Sequence, residues 1–331
     1  MRTPWAMRSA PPGVRRSFAA MTSVALATFL GWRTYVHEVA AGMTGGDFGH
    51  FRNAALDVLA GKNPYDAGVI PYPLPTLLLV APLTPLPPVV GAGVFTGIGV
   101  ATLTYGLLTR LGWQGLAMLA SPAFFLGWFY LQWSPLIVAG AFLPWLGGLS
   151  IAKPNVGIAP FAYRPAWSAV AVSVVLFAIS FLIVPTWFTD WLTDIPQQRA
   201  PHTAPLLWPL GAAGLVGAFR WRRPEGRALM AMTLVPLNPQ IYDHLGVWLA
   251  TPRWKDSLIL SACGWVGFVA FLATAPHDLT RDPFSAHLSL GLGVYLPAAI
   301  LILRRPNTGA LPERVERYAA RLPRWLRGNA A

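Results

Sequence analysis

The residues with the means to do chemistry concentrate in one stretch, Gly45–Pro75, which reads GGDFGHFRNAALDVLAGKNPYDAGVIPYPLP. It carries Asp47, His50, Asp57 and Asp66 in a chain that is otherwise mostly apolar. A carboxylate in such a setting can take a proton from an attacking hydroxyl, and a histidine can hold or donate one. The stretch parses locally. Asp47 stands where a helix N-cap would stand, because its carboxylate can accept from the free N–H groups of a first turn. Phe48, Phe51, Ala55 and Leu59 recur at helical spacing, with His50, Asn53 and Asp57 on the opposite face. Gly61 suits a left-handed C-cap, and Asn63-Pro64 with Asp66 and Gly68 is turn chemistry. The pattern is a short amphipathic helix ending in a rigid turn, lying along a membrane surface and not crossing it.

The chain around it must be the scaffold. Of 331 residues, 54% are hydrophobic and only 11% charged, with 15 tryptophans and 32 prolines. Apolar segments approaching the ~20 residues needed to cross a bilayer recur from end to end. The fold class expected is all-α, a polytopic transmembrane helical bundle. The net charge of +12 lies in three basic blocks: Arg2, Arg8, Arg15 and Arg16; the segment Arg220–Arg227; and the tail from Arg304. Basic blocks between apolar spans mark cytoplasmic segments, which makes nucleic acid the weaker partner. Cys263 is alone in an apolar run and cannot form an internal disulfide. No Cys/His cluster has metal-site spacing, and no GxGxxG, P-loop or HExxH occurs.

Span one is expected over about Ser17–Trp32, uncleaved, with the N-terminus inside and the loop His37–Pro71 outside. Prolines 75, 82, 85, 87 and 88 reduce Leu74–Leu108 to a short interfacial piece plus one span over Val89–Thr109. Gln114–Tyr130 and Pro135–Ile151 read as an outward and an inward span joined by the polar knot Gln132-Trp133-Ser134, which would leave Lys153 at the inner surface as a positive anchor. Span five is about Trp167–Phe188. The polar centre Asn238–His244 makes Ala228–Ala250 a hairpin bent on the outer side. About ten crossings result, in a single domain over 1–303 with its first extracytoplasmic loop at 41–75. A basic cytoplasmic tail follows at 304–331, with Val315, Tyr318, Ala319, Leu322, Trp325 and Leu326 forming an apolar stripe for anionic lipid. Four polar elements, Asp47–Asp66, Gln132–Ser134, Asp190–His202 and Asn238–His244, then fall on one side of the membrane.

Asp47-Phe48 followed by Leu59-Ala60-Gly61-Lys62-Asn63-Pro64-Tyr65-Asp66 resembles the D-F…A-L-L-x-G-x-N-P-Y motif of bacterial polyprenyl-phosphate-mannose-dependent α-mannosyltransferases, integral-membrane enzymes of the GT-C class. Tyr72-Pro73-Leu74-Pro75, Gln132-Trp133-Ser134-Pro135, Lys153-Pro154 and Pro239–His244 are similar to later segments of that family. The sequence departs from the family pattern at His50-Phe51, where a tyrosine pair is usual, and at Tyr242, where a tryptophan is. The resemblance implies a GT-C-like bundle with short extracytoplasmic interfacial helices in the plasma membrane. It implies Asp47 as general base, a polyprenyl-phosphate hexose donor, a glycolipid or envelope-glycan acceptor, and no further cofactor. On its motifs His50, Tyr65, Tyr72, Gln132, Tyr242 and His244 are candidate substrate contacts. Arg199 and His202 are candidate phosphate contacts by side-chain chemistry. Asp57 and Asp66 read as a solvated-face acid and a turn acid. A transporter or flippase of lipid-linked sugars and a non-catalytic membrane scaffold are the alternatives.

Overall fold

The computed structural model describes residues 11–66, 70–194, 202–274, 283–310, 313–323 and 327–328. Among them the chain is helical throughout, with one isolated β-bridge between Thr203 and Leu237. The α-helices are α1 (Pro12–Ala40), α2 (Gly46–Leu59), α3 (Leu74–Val80), α4 (Pro88–Arg110), α5 (Pro122–Phe129), α6 (Ser134–Ala139) and α7 (Pro154–Tyr163). They continue with α8 (Trp167–Ile183), α9 (Trp187–Asp194), α10 (Pro224–Leu234), α11 (Trp254–Thr274), α12 (Pro283–Leu290), α13 (Leu296–Leu303) and α14 (Glu313–Ala319). Tight 3₁₀ segments fill much of the rest, notably Gly112–Ala120, Pro144–Ala152, Gly211–Arg220 and Ile241–Ala250.

The expectation of about ten crossings is corrected by this architecture. Among the described residues three helices are long and apolar enough to cross a membrane: Pro88–Arg110, Trp254–Thr274 and Pro283–Leu303. The bent pair α8 and α9, which turns by 99°, would make a fourth. Proline is the reason that other apolar stretches are divided. It stands in the first turn of α5, α6, the Pro144 segment, α7 and α10, where its missing N–H costs nothing and where it starts a new helix instead of continuing the old one.

The bundle has two poles. Helices α1 and α4 run antiparallel and touch at Gly31 and Gly93, where a Cβ on either would lie 2.7–2.8 Å from the other's carbonyl oxygen. Phe18 packs on Trp113 at one end, and His37 on Phe129 at the other. At the second end sit Gly45 and the start of α4, hence α2. At about 1.5 Å per residue α4 is ~34 Å long, so Asp47 and Arg110 are held far apart.

Pro135–Ile151 was expected to carry the chain inward as one span. Instead α6 ends at Gly140, and the Pro144–Ala152 segment folds back on it, with Gly140 against Gly147. The chain returns to the pole it left, and Ala152 O accepts from Thr76 Oγ1 just before Lys153. Lys153 is therefore at the same pole as Asp47, where the sequence reading puts the two on opposite sides of the bundle. The hairpin expected over Ala228–Ala250 is present as α10 and the Ile241–Ala250 segment, joined through Asn238-Pro239-Gln240.

At the opposite pole the basic block and the tail meet. Arg222 forms a bidentate pair with Glu316 at 2.6 and 2.8 Å, and Arg305 lies between Glu225 at 3.2 Å and Asp256 at 2.7 Å. Of the tail stripe, Val315 and Tyr318 are exposed and Ala319 is buried, while Trp325 and Leu326 lie outside the described residues.

Candidate functional site

Two left-handed glycines turn the chain from α1 into α2: Gly45 at φ 100° and Gly46 at φ 49°. A side chain at either would be strained. At Gly46 a Cβ would in addition lie 2.8 Å from Leu131 Cδ1. Gly45 is the N-cap residue, and its N–H donates to Glu38 Oε2 at 3.0 Å, a carboxylate buried at the end of α1. Asp47 is thus in the first turn and not at the cap, which corrects the sequence expectation. Its carboxylate is free of capping duty, and the start of the helix dipole favours its charge.

The rest of α2 follows the sequence pattern. Phe48, Phe51 and Ala55 are buried and His50 and Asn53 exposed, although Leu59 is exposed as well. Gly61, at φ 74°, closes the helix in a Schellman motif: Lys62 N–H donates to Asp57 O at 2.9 Å, and Gly61 N–H to Val58 O at 3.0 Å. Asn63 Oδ1 accepts from Tyr65 N–H, and Asn63 Nδ2 donates to Asp66 and, at 2.9 Å, to Asp190 of α9.

A second Schellman motif, with a leucine where glycine is usual, delivers Gln132. Leu131 adopts φ 58°, with Leu131 N–H donating to Trp128 O at 3.2 Å and Gln132 N–H to Gly127 O at 2.8 Å. The left-handed region costs an L-residue about 1–2 kcal/mol. Burial of the Leu131 side chain against Gly46 over-determines the strained turn.

These turns bring four side chains into one line. Gln132 Nε2 donates to Asp47 Oδ2 and also to Tyr130 O at 3.2 Å. Gln132 Oε1 accepts from Lys153 Nζ at 3.4 Å, and Lys153 donates to Asp243 Oδ1 at 2.6 Å. Asp243 is wholly buried, and its Oδ2 has no hydrogen-bond partner among the described residues. The Lys153 ammonium also lies 5.5 Å from the centre of the Tyr242 ring. Burial raises the Asp47 carboxyl above its ordinary 3.8, with Asp243 adding to the rise, while His50, Lys153 and the Gln132 hydrogen bond oppose it. A half-buried carboxylate of raised basicity, with one oxygen held and the other unengaged among the described residues, can accept a proton from a hydroxyl presented to it.

The remaining sequence candidates divide. Tyr72 is buried edge-on against Phe51, and Tyr242 lies beside Lys153; burial and the carboxylates of Asp47 and Asp243 raise both hydroxyls. Tyr65 spends its hydroxyl on Tyr72 O at 3.0 Å and serves the loop. His50 is exposed on α2 and lies within electrostatic reach of Asp47. His202 is half-buried next to the Thr203–Leu237 bridge, and Arg199 lies outside the described residues. His244 is the clearest departure. It is fully buried, its Nε2–H donates to Asn238 O at 3.0 Å, and its Nδ1 accepts from the Tyr295 hydroxyl at 2.9 Å. Burial pushes its imidazole down to about 3, so it stays neutral and holds the hairpin bend. The neighbouring Asp243 is the member of that stretch which reaches the line. Lys153 and Asp243 were missed as site residues. A lysine between apolar segments is also what an inner anchor looks like, and only the Gly140–Pro144 reversal distinguishes the two.

Among the described residues no group of three or more His, Cys, Asp and Glu side chains could hold a metal. A shallow recess at the arginine pole, between Leu111, Phe142 and Trp248, has no charged residue in its lining and offers no such chemistry. Comparison with known proteins finds no matching family model, no matching curated protein and no matching solved structure.

Proposed function

We propose that the protein is a membrane glycosyltransferase that moves a hexose, mannose on the motif resemblance, from a polyprenyl-phosphate donor to a glycolipid or envelope glycan. Asp47 is the general base. It takes the proton of the acceptor hydroxyl as that oxygen attacks the anomeric carbon; the bond from this carbon to the phosphate oxygen breaks, and polyprenyl phosphate leaves. The observation that carries the reading is the half-buried Asp47 carboxylate, held through one oxygen by Gln132 at the end of an apolar helical bundle. Lipid-linked donors reach such a site from the bilayer, and the basic opposite pole favours a cytoplasmic placement that puts Asp47 on the outer face. A GT-C-like architecture belongs to the same proposal.

The buried Lys153–Asp243 pair favours a second reading, transport of a lipid-linked sugar, because paired charges inside membrane bundles mark transport paths. Purified protein in nanodiscs, given a panel of polyprenyl-phosphate hexoses and a glycolipid acceptor, separates the two. Transfer should appear as an acceptor heavier by one hexose. Translocation of the intact donor across liposomes, with no transfer from any donor, would replace the first reading with the second.

A further inference from the structure

We infer that Lys153, clamped by Asp243, is a positioning residue that locks the amide of Gln132 and through it sets the direction and basicity of Asp47. Gln132 has a donor side and an acceptor side of nearly equal size, and Asp47 and the Tyr130 carbonyl accept only from the donor side. Here Lys153 Nζ stands at the acceptor side and Asp47 at the donor side. A flip would put Oε1 against a carboxylate and the amide N–H₂ against an ammonium. Both contacts would turn repulsive, so one orientation remains.

Lys153 can reinforce this from the acceptor side only if it is held itself. Its side chain is 14% exposed and that of Asp243 fully buried, and the 2.6 Å contact makes Asp243 its anchor. Three separate turns converge on the line: the Gly45-Gly46 entry to α2, the left-handed Leu131, and the reversal at Gly140–Pro144 that brings Lys153 back. Charge alternates along it, from Asp47 through the amide dipole to Lys153 and Asp243. Asp47 Oδ2 is thereby fixed as an acceptor, and Oδ1 is the oxygen presented to a hydroxyl.

The Tyr130 carbonyl also holds the donor side of Gln132, but no other group around Asp47 supplies a cation at the acceptor side among the described residues. His50 lies on the same helix, Glu38 is occupied with the Gly45 N–H, and Tyr72 and Tyr242 contribute hydroxyls that burial keeps neutral. Lys153 is the one cation that reaches Asp47 from another element among the described residues, and its lowering influence on Asp47 outweighs the raising influence of Asp243.

The catalytic meaning of this role rests on the transferase reading, but the coupling can be measured without turnover. The probe is dicyclohexylcarbodiimide, which modifies protonated carboxyl groups; labelling of the Asp47 peptide is followed by mass spectrometry across a pH series. Lys153→Met alone leaves Asp243 charged and unpaired, so the working variant is Lys153→Met with Asp243→Asn. If that protein does not fold, Lys153→Gln, which keeps a donor for Asp243, replaces it. The labelling midpoint of Asp47 should rise by about one pH unit, the low end of what loss of a neighbouring opposite charge produces. Lys153→Arg should bring it back, and where transfer is active kcat should fall with KM little changed. An unmoved midpoint in the folded variant would overturn the inference. Absence of transfer in the wild type alongside a moved midpoint would instead sink the transferase reading and leave the coupling standing.

Discussion

The two poles of the molecule use charge in opposite ways. At the arginine pole cations are closed on carboxylates and carbonyls. Arg222 spans Glu316, Gly309 O and Arg327 O, Arg305 joins Glu225 to Asp256, and Arg227 donates to Ala162, Tyr163, Trp221 and Arg222 carbonyls. Each tie fastens one segment to another, so the pole is a clamp. At the Asp47 pole the charges form a chain that stops short: Asp243 is closed on Lys153, Lys153 on Gln132, and Asp47 ends the line with one oxygen engaged. Ion pairs that tie segment to segment make structure. A carboxylate that burial has made more basic, and that keeps one oxygen available, makes a reactive group.

The contrast can be broken at either pole. The largest loss of stability should follow Lys153→Met alone, because Asp243 would be left buried without its cation. Removing one partner of a buried pair costs about 3–5 kcal/mol, visible as a fall in melting temperature in detergent. Next is Glu316→Ala at the clamp, which frees the guanidinium of the 3%-exposed Arg222 and should cost about 2–3 kcal/mol, the scale of hydrogen bonds to charged groups. The poles should separate here: Glu316→Ala loosens the tail, seen as faster proteolysis after residue 304, and leaves the transfer rate of the folded fraction unchanged. Gly61→Ala places a Cβ in open space but in left-handed backbone, for about 1–2 kcal/mol and no effect on turnover. The smallest effect belongs to Asp57→Asn. Its ion pair with Lys62 is 3.5 Å long and exposed at 69% on the lysine side, so stability should change by at most about 0.5 kcal/mol.

What the sequence made legible was local. The stripe of Phe48, Phe51 and Ala55, the Gly61 cap, the Asn63 turn and the long apolar helix at Pro88–Arg110 all depend on neighbours within a few residues, and each is present. The bend at Asn238–His244 is also readable, since polar residues in the middle of an apolar stretch interrupt it. The span count was not, because a hydropathy reading treats Gln114–Tyr130 or Pro135–Ile151 as continuous helix. Proline at the head of each piece and the tighter 3₁₀ windings shorten and redirect them. That error carried Lys153 to the wrong pole. The cap lies two residues before Asp47 because Gly45 and Gly46 together supply the left-handed turn into the helix. His244 looks available as a substrate contact because it stands in a polar bend, and only tertiary packing against Trp208 and Tyr295 shows both of its nitrogens in use.

Asp47→Asn tests the central claim most directly. Asparagine is nearly isosteric, can still accept from Gln132 through its Oδ1, and takes nothing from the helix start, which Gly45 caps. It cannot accept the acceptor's proton. Turnover with a polyprenyl-phosphate hexose should fall by about 10²–10⁴-fold, the usual worth of a general base, while the melting temperature in detergent stays close to that of the wild type. In the wild type the same assay should show transfer rising with pH as Asp47 ionises, with a midpoint above the ordinary carboxylate value of 3.8. Transfer by Asp47→Asn at a rate near that of the wild type would contradict the account and leave Asp47 a structural residue of the first turn.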